Sequence, residues 1–528
     1  MKKYIKENLD APMLMLLILF FVGSLARLLW LDEIPMGLHQ DEAYSAYNSW
    51  AVMKYGIDSY GYTRPVYYTV WGSGMSVLYS YFTMPFFALF GVHTWTIRLP
   101  QAIWGSLSIL VMYGLGQELF RSRWMSVFFA GLLAVNPWHI QQSRVGLDCN
   151  LAVPMLLTAV YFLCRYLNGK SKSMWGAAFF FGLTLYSYAL TWILVPALLF
   201  LSFLFFWDKL KFDRNFWLPL GLLFLMACPL LVFLAVNFDW IEEIRNSFFS
   251  IPKLPQLRTG EIGLHGWQIK KRFLDLMRML FRQHDDRWWI SNETVGSYYY
   301  ISTPFILLGI LYHIRVFIKG IISRMKFALH FILALWFGVA VALGSMLDQV
   351  YFHKVNYIHI PIIMYTGIGI WCLGKFLKHE KGMAWMACGT YACCFGYFVY
   401  TQLTFPVNYE AYGQPGLSHM NWYQYEEALG LADELTDGPV AVLGLNYANV
   451  MLYEQIPPQE YQSTVVYEEE GQAFGNVCSI GRYHFDIYPG AETEWTVFVY
   501  PYSMESFFLE QGYHTVYADK CYGVAWRE

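Results

Sequence analysis

The amino-acid sequence predicts a polytopic α-helical membrane protein with about eleven spans, followed by a small C-terminal α/β domain. Of the 528 residues, 56% are hydrophobic and 14% are charged, whereas soluble proteins average about 25% charged residues. Apolar runs of spanning length recur through the chain until its composition changes after residue 404. The net charge of −3 gives no basic surface of the kind that binds nucleic acid, so we expect no nucleic-acid partner.

Eleven apolar segments are long enough to be predicted as spans, since about 20 apolar residues cross a bilayer. They lie at 12–31, 98–119, 124–138, 150–167, 174–190, 192–207, 215–236, 301–318, 327–345, 357–374 and 383–403. A twelfth apolar stretch, 65–92, is broken by glycines at 72 and 74 and by prolines at 65 and 85. We interpret it as re-entrant or interfacial.

The positions of lysine and arginine give the orientation, because short cytoplasmic loops carry the excess of positive charge. The basic clusters lie at 2–6, 121–123, 170–172, 209–214, 315–326 and 375–381. All of them share the side of the N-terminus only if the twelfth stretch does not cross. We therefore expect a multi-pass protein of the cell membrane, with a cytoplasmic N-terminus and an extracytoplasmic C-terminal tail. The basic segment 237–300 is then outside, where long loops escape the charge rule.

Two domains are predicted, a membrane domain at 1–404 and an extracytoplasmic α/β domain at 405–528. In the tail, 422–436 has an amphipathic helical pattern, and the runs 440–445 and 495–500 are typical of buried strands. No phosphate-binding glycine loop occurs there, and we assign the tail no chemistry. For its two cysteines, Cys478 and Cys521, a disulfide and free thiols both stay open.

The stretch 37–56, GLHQDEAYSAYNSWAVMKYG, carries two adjacent carboxylates, Asp41 and Glu42, just beyond the first span. Its pattern predicts a short surface helix with one aromatic face on the lipid headgroups. That face consists of Tyr44, Tyr47, Ala51 and Tyr55. Two interpretations of the carboxylates stay open: Asp41 caps the helix, or the pair does chemistry.

The chain contains neither a P-loop nor a dinucleotide fingerprint, and its inner loops are too short for a nucleotide-binding domain. An activated substrate used at the outer face is then most simply a lipid-linked donor. Arginine suits its phosphate, and a carboxylate can take the proton from an attacking hydroxyl. In the second outer loop, Arg144 and Asp148 lie four residues apart, so a structural ion pair is an alternative there.

Four segments together resemble the GT-C glycosyltransferases of the protein mannosyltransferase and aminoarabinose transferase type (family 39-like). GLHQDEAYSAY is similar to their acidic first-loop motif, and TRPVYYTVWG to the basic residue and proline before their re-entrant helix. TIRLPQAIWGSLSIL resembles the start of their next span, and NPWHIQQSRVGLDCNLAVPML their second-loop motif. The resemblance covers about residues 12–210. Two later segments, HDD…GSYYYISTPFILLGI and HKVNYIHIPII, are similar to bacterial members less specifically.

The resemblance implies a role for several single residues. Asp41 would be the general base, and Glu42 would support it or bind the acceptor. Arg64, Arg98 and Arg144 would contact the donor phosphate, and at the position of Arg64 the family also uses lysine. The further substrate-binding candidates are His39, Asp148, His284, Asp285, His353 and Asn356.

The implied activity is transfer of a hexosyl or pentosyl group from a polyprenyl-phosphate sugar to an acceptor hydroxyl at the outer face, usually with inversion. The partners would be this donor, the lipid bilayer and a glycan, lipid or protein acceptor. No cofactor is established; some relatives use a divalent metal, and its ligands here are unknown. A polymerase or ligase of lipid-linked glycans, a transporter and a non-catalytic scaffold are the alternatives. Transporters commonly contain internal repeats with broken helices, and we find no such repeat in the sequence.

Overall fold

The computed structural model describes residues 10–257, 263, 266–285, 292–323, 326–404, 425–469, 476–489, 496–517 and 521–527. Each of the eleven predicted spans contains a helix. Six helical segments are long and apolar enough to cross a membrane: Ala11–Leu28, Thr94–Phe120, Asp148–Leu167, Arg214–Asn237, Tyr300–Ile322 and His353–Phe376. The last two begin with the 3₁₀ segments Tyr300–Ser302 and His353–Ile358, and their α-helices are Thr303–Ile322 and His359–Phe376.

Five shorter apolar helices accompany the six long ones: Leu78–Phe90, Arg123–Ala134, Ser173–Leu185, Thr191–Phe205 and Leu329–Gly344. The described part of the first 404 residues also contains four further α-helices, Gln40–Tyr55, Pro137–Gln142, Gly266–Arg282 and Glu380–Phe398, together with the 3₁₀ helix Trp207–Lys209 and the π-helix Val399–Leu403. The chain is therefore mostly helical, as its composition predicts. The count of eleven membrane crossings stays a prediction, because five of the corresponding helices fall outside the six long ones.

The stretch predicted to be re-entrant or interfacial forms a β-hairpin followed by a helix. Strands β1 (Tyr68–Val70) and β2 (Ser73–Met75) pair in antiparallel register and leave a two-residue loop. Both loop residues, Trp71 and Gly72, have positive φ, which matches the right-handed twist of a hairpin. Gly72 therefore lies in a turn and Gly74 in strand β2, whereas Pro85 lies inside the Leu78–Phe90 helix rather than breaking it.

The chain folds into two compact units. The first contains residues up to Leu31, Arg98–Cys228 and the described part of Thr259–Leu417. The second combines Asp32–Ile97, Pro229–Arg258 and the described part of Ser418–Glu528. The described part of the tail thus shares a unit with the first outer loop. The predicted boundary at residue 405 lies outside the described residues and stays a prediction.

In the second unit, strands β3 (Ile244–Arg245) and β4 (Ser250–Ile251) pair in antiparallel register. The described part of the tail carries a mixed sheet of seven strands: β5 (Val440–Val442), β6 (Val466–Tyr467), β7 (Val477–Ile480), β8 (Tyr483–Phe485), β9 (Val497–Pro501), β10 (His514–Tyr517) and β11 (Tyr522–Trp526). Their order across the sheet is β10-β11-β9-β5-β8-β7-β6. The central strand β5 runs parallel to β8 and β9 and is fully buried, as its apolar sequence requires. The helices are Tyr425–Leu435, Tyr447–Glu454, Pro458–Thr464 and Glu505–Glu510. Both tail cysteines, Cys478 and Cys521, are free thiols.

We expect the tail to be extracytoplasmic, and cysteine labelling tests this. Ser463, in the Pro458–Thr464 helix, and Ser323, after the Thr303–Ile322 helix, are both exposed serines. In a Cys478→Ser background, a membrane-impermeant maleimide should label Ser463→Cys in intact cells. The matched Ser323→Cys variant, on the predicted cytoplasmic side, should react only after permeabilisation. The reverse pattern contradicts the orientation.

Candidate active site

The helix Gln40–Tyr55 begins with a capping box that does not use the side chain of Asp41. The backbone N–H of Asp41 donates to His39 Nδ1 at 3.1 Å, and the backbone N–H of His39 donates to Glu42 Oε2 at 3.1 Å. His39 is the N-cap residue and Glu42 completes a capping box. His39 Nδ1 also lies 3.8 Å from Asp41 Oδ2. The interpretation of Asp41 as the cap is therefore wrong.

The two adjacent carboxylates have different surroundings. Glu42 is fully buried and held by the capping box. The side chain of Asp41 is 37% exposed, and within the described part of the chain its carboxylate accepts no hydrogen bond. Its place in the first turn puts its negative charge beside the positive end of the helix dipole. Asp41 is the carboxylate of the pair that a substrate can reach.

The aromatic face of this helix is buried in protein, not laid on lipid headgroups as predicted. Tyr44 and Tyr47 are fully buried. The Tyr44 ring lies 5.2 Å from Trp71 and 6.2 Å edge-on from Tyr447, and its hydroxyl bonds Ser59 Oγ at 3.0 Å. The sequence misses this because helical spacing shows which residues share a face, but not what covers it.

Residues of the tail fix the start of the same helix. The side-chain amide of Asn449, itself fully buried, donates to the Leu38 carbonyl at 3.0 Å. Asn446 Nδ2 donates to Gln40 Oε1 at 3.3 Å, one residue before Asp41. The tail, to which we assigned no chemistry, therefore helps to position the acidic motif. No motif in the sequence indicates this contact.

Arg64 is exposed in a well-anchored loop of the second unit. Its φ is +38°, a conformation that is uncommon for a residue with a side chain. The loop is held on both sides, because the Arg64 N–H donates to the Gly56 carbonyl at 3.2 Å and the Val66 N–H to the Ser250 carbonyl at 3.1 Å. Among the described residues, its guanidinium has no hydrogen-bond or ion-pair partner. Arg64 thus presents an available positive charge.

Asp58 is a buried carboxylate outside the predicted set of site residues. Its Oδ1 accepts hydrogen bonds from the backbone N–H groups of Tyr60 at 3.0 Å and Tyr62 at 2.8 Å. Within the described residues its Oδ2 is buried without a partner. Burial raises the pKa of Asp58 to about 7, against the opposing effect of those two bonds and of Arg245.

Arg98 and Arg144, predicted to contact the donor phosphate, are buried in the first unit. Arg98 Nη1 donates to the Leu31 carbonyl at 2.9 Å. Arg144 donates to three carbonyls after and within the last turn of the Ala11–Leu28 helix, those of Ala26, Leu29 and Trp30 at 2.9, 2.7 and 3.0 Å. These contacts satisfy backbone oxygens that have no intrahelical partner.

Asn356 is also buried, in a polar network of the first unit. Its amide donates to Asn150 Oδ1 at 2.9 Å, to the Cys149 carbonyl at 3.3 Å and to Gln142 Oε1 at 3.4 Å. A buried side-chain amide that is bonded in this way holds elements together and is not exposed to a ligand.

The four remaining candidates are half-buried. Asp285 Oδ2 accepts from the Phe352 N–H at 2.7 Å, which brings Asp285 next to the segment that contains His353. Asp148 Oδ1 accepts from the Cys149 N–H at 2.6 Å at the start of its helix. His284 lies 3.4 Å from Glu293 Oε1. Across the described residues, no group of three or more His, Cys, Asp or Glu side chains could hold a metal ion.

Comparisons with known proteins identify the fold. A family model described as dolichyl-phosphate-mannose-protein mannosyltransferase matches residues 75–233, which include Arg98, Arg144 and Asp148 but not the acidic motif. ArnT from Cupriavidus metallidurans, bound to undecaprenyl phosphate, superposes with a TM-score of 0.58 at 13% identity over 96% of this chain and 97% of its own. The chain has the GT-C fold of the protein mannosyltransferase and ArnT type.

A second solved GT-C structure is similar over nearly the same part of this chain. The archaeal oligosaccharyltransferase AglB from Archaeoglobus fulgidus, in complex with an inhibitory peptide and a dolichol-phosphate, superposes with a TM-score of 0.51 at 13% identity. It covers 96% of this chain and 71% of AglB. No curated protein sequence matches significantly. The GT-C resemblance stated from the sequence motifs is confirmed.

The raised pKa of Asp58 predicts a pH-dependent stability. Its ordinary value is 3.8 and its value in the folded protein is about 7. The folded state therefore binds the additional proton between these values. Its stabilising effect is present below about pH 4 and is lost as the pH rises through 7. Asp58→Asn keeps the Oδ1 acceptor and removes the cost of burying an ionised carboxylate.

In thermal unfolding, the free energy of unfolding of Asp58→Asn should exceed that of wild type. The difference should grow from pH 5 to pH 8 and reach about 4 kcal/mol at most. The matched control is Asp437→Asn, a change at an exposed aspartate of the same unit, whose difference from wild type should not vary in this way. A constant difference for Asp58→Asn would show that the carboxyl does not titrate in this range.

Proposed function

We propose that this protein is an integral membrane glycosyltransferase that moves a sugar from a polyprenyl-phosphate donor to an acceptor hydroxyl at the outer face of the membrane. The observation that carries the proposal is the division between the two carboxylates of the acidic motif. Glu42 and His39 complete the helix cap, which leaves the exposed carboxylate of Asp41 for chemistry. An aspartate needed only as a cap would occupy the position that His39 holds.

The proposed reaction is a single displacement at the anomeric carbon of the sugar. The acceptor oxygen forms the new bond to this carbon, and the bond from the carbon to the phosphate oxygen breaks. The electron pair leaves on the polyprenyl phosphate, and the acceptor proton passes to the Asp41 carboxylate. Attack from the side opposite the phosphate inverts the anomeric centre. The phosphate is already a good leaving group. The base therefore acts on the acceptor hydroxyl, which is a poor nucleophile while it keeps its proton.

Arg64 is the arginine that we assign to the donor phosphate. Its guanidinium is exposed in the unit that also contains Asp41, and a positive charge stabilises the negative charge that grows on the departing phosphate. Arg98 and Arg144 are buried on backbone carbonyls. We therefore assign both to holding the Ala11–Leu28 helix and the residues that follow it, rather than to the phosphate.

The other predicted site residues fall into two groups, those that are buried and those that are half-buried. His39 and Glu42 position Asp41 through the helix cap, and Asn356 belongs to a buried network. Asp148, His284, Asp285 and His353 are half-buried and remain the residues that we propose for substrate contact. No step of this mechanism passes through a metal ion.

The family description and the solved relatives support a lipid-phosphate donor. The matching family is described by its use of dolichyl-phosphate-mannose. ArnT and AglB were solved with undecaprenyl phosphate and dolichol-phosphate, respectively. Donors of this kind reside in the bilayer, which agrees with the six helices in the described part of the chain that are long and apolar enough to span it. We place the enzyme in the cell membrane with its site outside.

Asp41→Asn tests the role of the proposed base. The change removes charge and basicity and keeps the shape, while the cap made by His39 and Glu42 stays intact. We expect a folded protein that binds the donor normally and transfers sugar at least ~100-fold more slowly, the low end of general-base catalysis. Asp239→Asn, at an exposed aspartate of the same unit, should transfer at the wild-type rate. Normal turnover in Asp41→Asn would remove Asp41 from the mechanism.

Arg64→Ala and Arg64→Lys test the phosphate contact. Loss of the charge should weaken binding of an undecaprenyl-phosphate sugar by about tenfold, the effect of one lost charged hydrogen bond. The lysine variant should keep most of the affinity, because the contact depends on charge. Arg123→Ala, at an exposed arginine on the predicted cytoplasmic side, is the control and should bind as wild type. Equal affinity in Arg64→Ala and wild type would exclude this contact.

A further inference from the structure

The second unit contains a cavity of about 480 Å³ beside the start of the acidic helix. Its chemistry is set by Asp32, His93 and Trp95 from the first outer loop and by Glu426 and Tyr453 from the tail. Leu38, the residue before the helix cap, also lines it. A volume of this size lies within the range of about 300–1,000 Å³ that is typical of small-molecule sites.

The charged groups on the wall limit the class of ligand. Asp32 and Glu426 are carboxylates, and no lysine or arginine lines the cavity within the described part of the chain. A phosphate or another anion would meet these two carboxylates and no cationic lysine or arginine, which disfavours the donor phosphate. Carboxylates accept hydrogen bonds from hydroxyl and ammonium groups. The wall therefore suits a neutral or cationic ligand rich in hydroxyls.

The aromatic groups point to a ring with an apolar face. The rings of Trp95 and His93 lie nearly parallel, at 4° with centroids 6.4 Å apart, and Tyr453 adds a phenol. The main chain of Trp95 is anchored, because its N–H donates to Asp32 Oδ1 at 2.8 Å. A sugar presents C–H groups on its faces and hydroxyls at its rim, which matches aromatic rings beside carboxylates.

The cavity also lies close along the chain to the proposed base, because Leu38, which lines it, stands three residues before Asp41. The Leu38 carbonyl accepts the Asn449 amide, and Leu38 precedes the cap residue of the helix that carries Asp41. We propose that this cavity binds the acceptor of the transfer reaction through a neutral or cationic sugar. This inference rests on the proposed function and assigns its acceptor class, which the chain's motifs and relatives leave open.

The test measures sugar binding without any transfer. Saturation-transfer difference NMR is recorded on the purified full-length protein in lipid nanodiscs, with methyl β-glucoside, glucosamine and glucuronate as neutral, cationic and anionic probes. Glu426→Gln keeps the shape of the side chain and removes its charge, and Glu427→Gln is its exposed neighbour outside the cavity. Trp95→Ala removes the ring, and Trp240→Ala removes a ring that is 77% exposed elsewhere in the same unit.

We expect saturable binding of methyl β-glucoside and glucosamine, and about tenfold weaker binding of glucuronate. Glu426→Gln should weaken glucosamine binding by about tenfold, as for a lost hydrogen bond to a charged group. Trp95→Ala should weaken the binding of methyl β-glucoside and of glucosamine by about fivefold. The controls Glu427→Gln and Trp240→Ala should bind both sugars as wild type does.

Three outcomes overturn the proposal: no saturable binding of any probe, glucuronate bound as well as glucosamine, or equal effects of Glu426→Gln and Glu427→Gln. Because no donor is present, inactive transfer in other assays does not affect this result. Failure here, in turn, leaves the test of Asp41 unaffected.

Discussion

The structure depends on buried arginines that bond the backbone carbonyls at helix ends. The last carbonyls of a helix lack an intrahelical partner, and in an apolar environment water does not supply one. Arg144 meets this need at the end of the Ala11–Leu28 helix. Arg27 does the same for Leu133 and Ala134 at the end of the Arg123–Ala134 helix. Charges that are costly at membrane depth are thereby used for structure.

This constraint changes how arginines in such a chain should be interpreted. An arginine beside an outer loop is equally consistent with a phosphate ligand and with a cap for a helix end, because both use the same planar set of donors. Burial separates the two. Arg98 and Arg144 are buried on carbonyls, whereas Arg64 is exposed in a loop held by backbone hydrogen bonds. The availability of a charge, not its presence, marks a binding residue.

The same distinction between a buried structural charge and an available charge applies to the two carboxylates of the acidic motif. A capping box satisfies the first N–H groups of the helix with His39 and Glu42, which fixes the backbone on both sides of Asp41. Packing of Tyr44 against Trp71 and Tyr447, and the bond from Asn449 to Leu38, hold the helix in place. A base that is positioned by its backbone and by buried neighbours keeps its own side chain free for chemistry.

The sequence by itself determined the helical class, the helix at each predicted span and the GT-C resemblance, because apolar length and ordered motifs depend on local chain chemistry. It also located the acidic motif. Only the tertiary structure decided which residues of that motif cap the helix, that Arg98, Arg144 and Asn356 are buried, and that the tail packs on the first outer loop. The packing of the tail arises from contacts between segments up to 411 residues apart, whereas the cap is a local contact that the spacing of residue types alone did not single out. Spacing along the chain records which residues share a helix face, whereas burial and hydrogen bonding depend on the segment that covers that face.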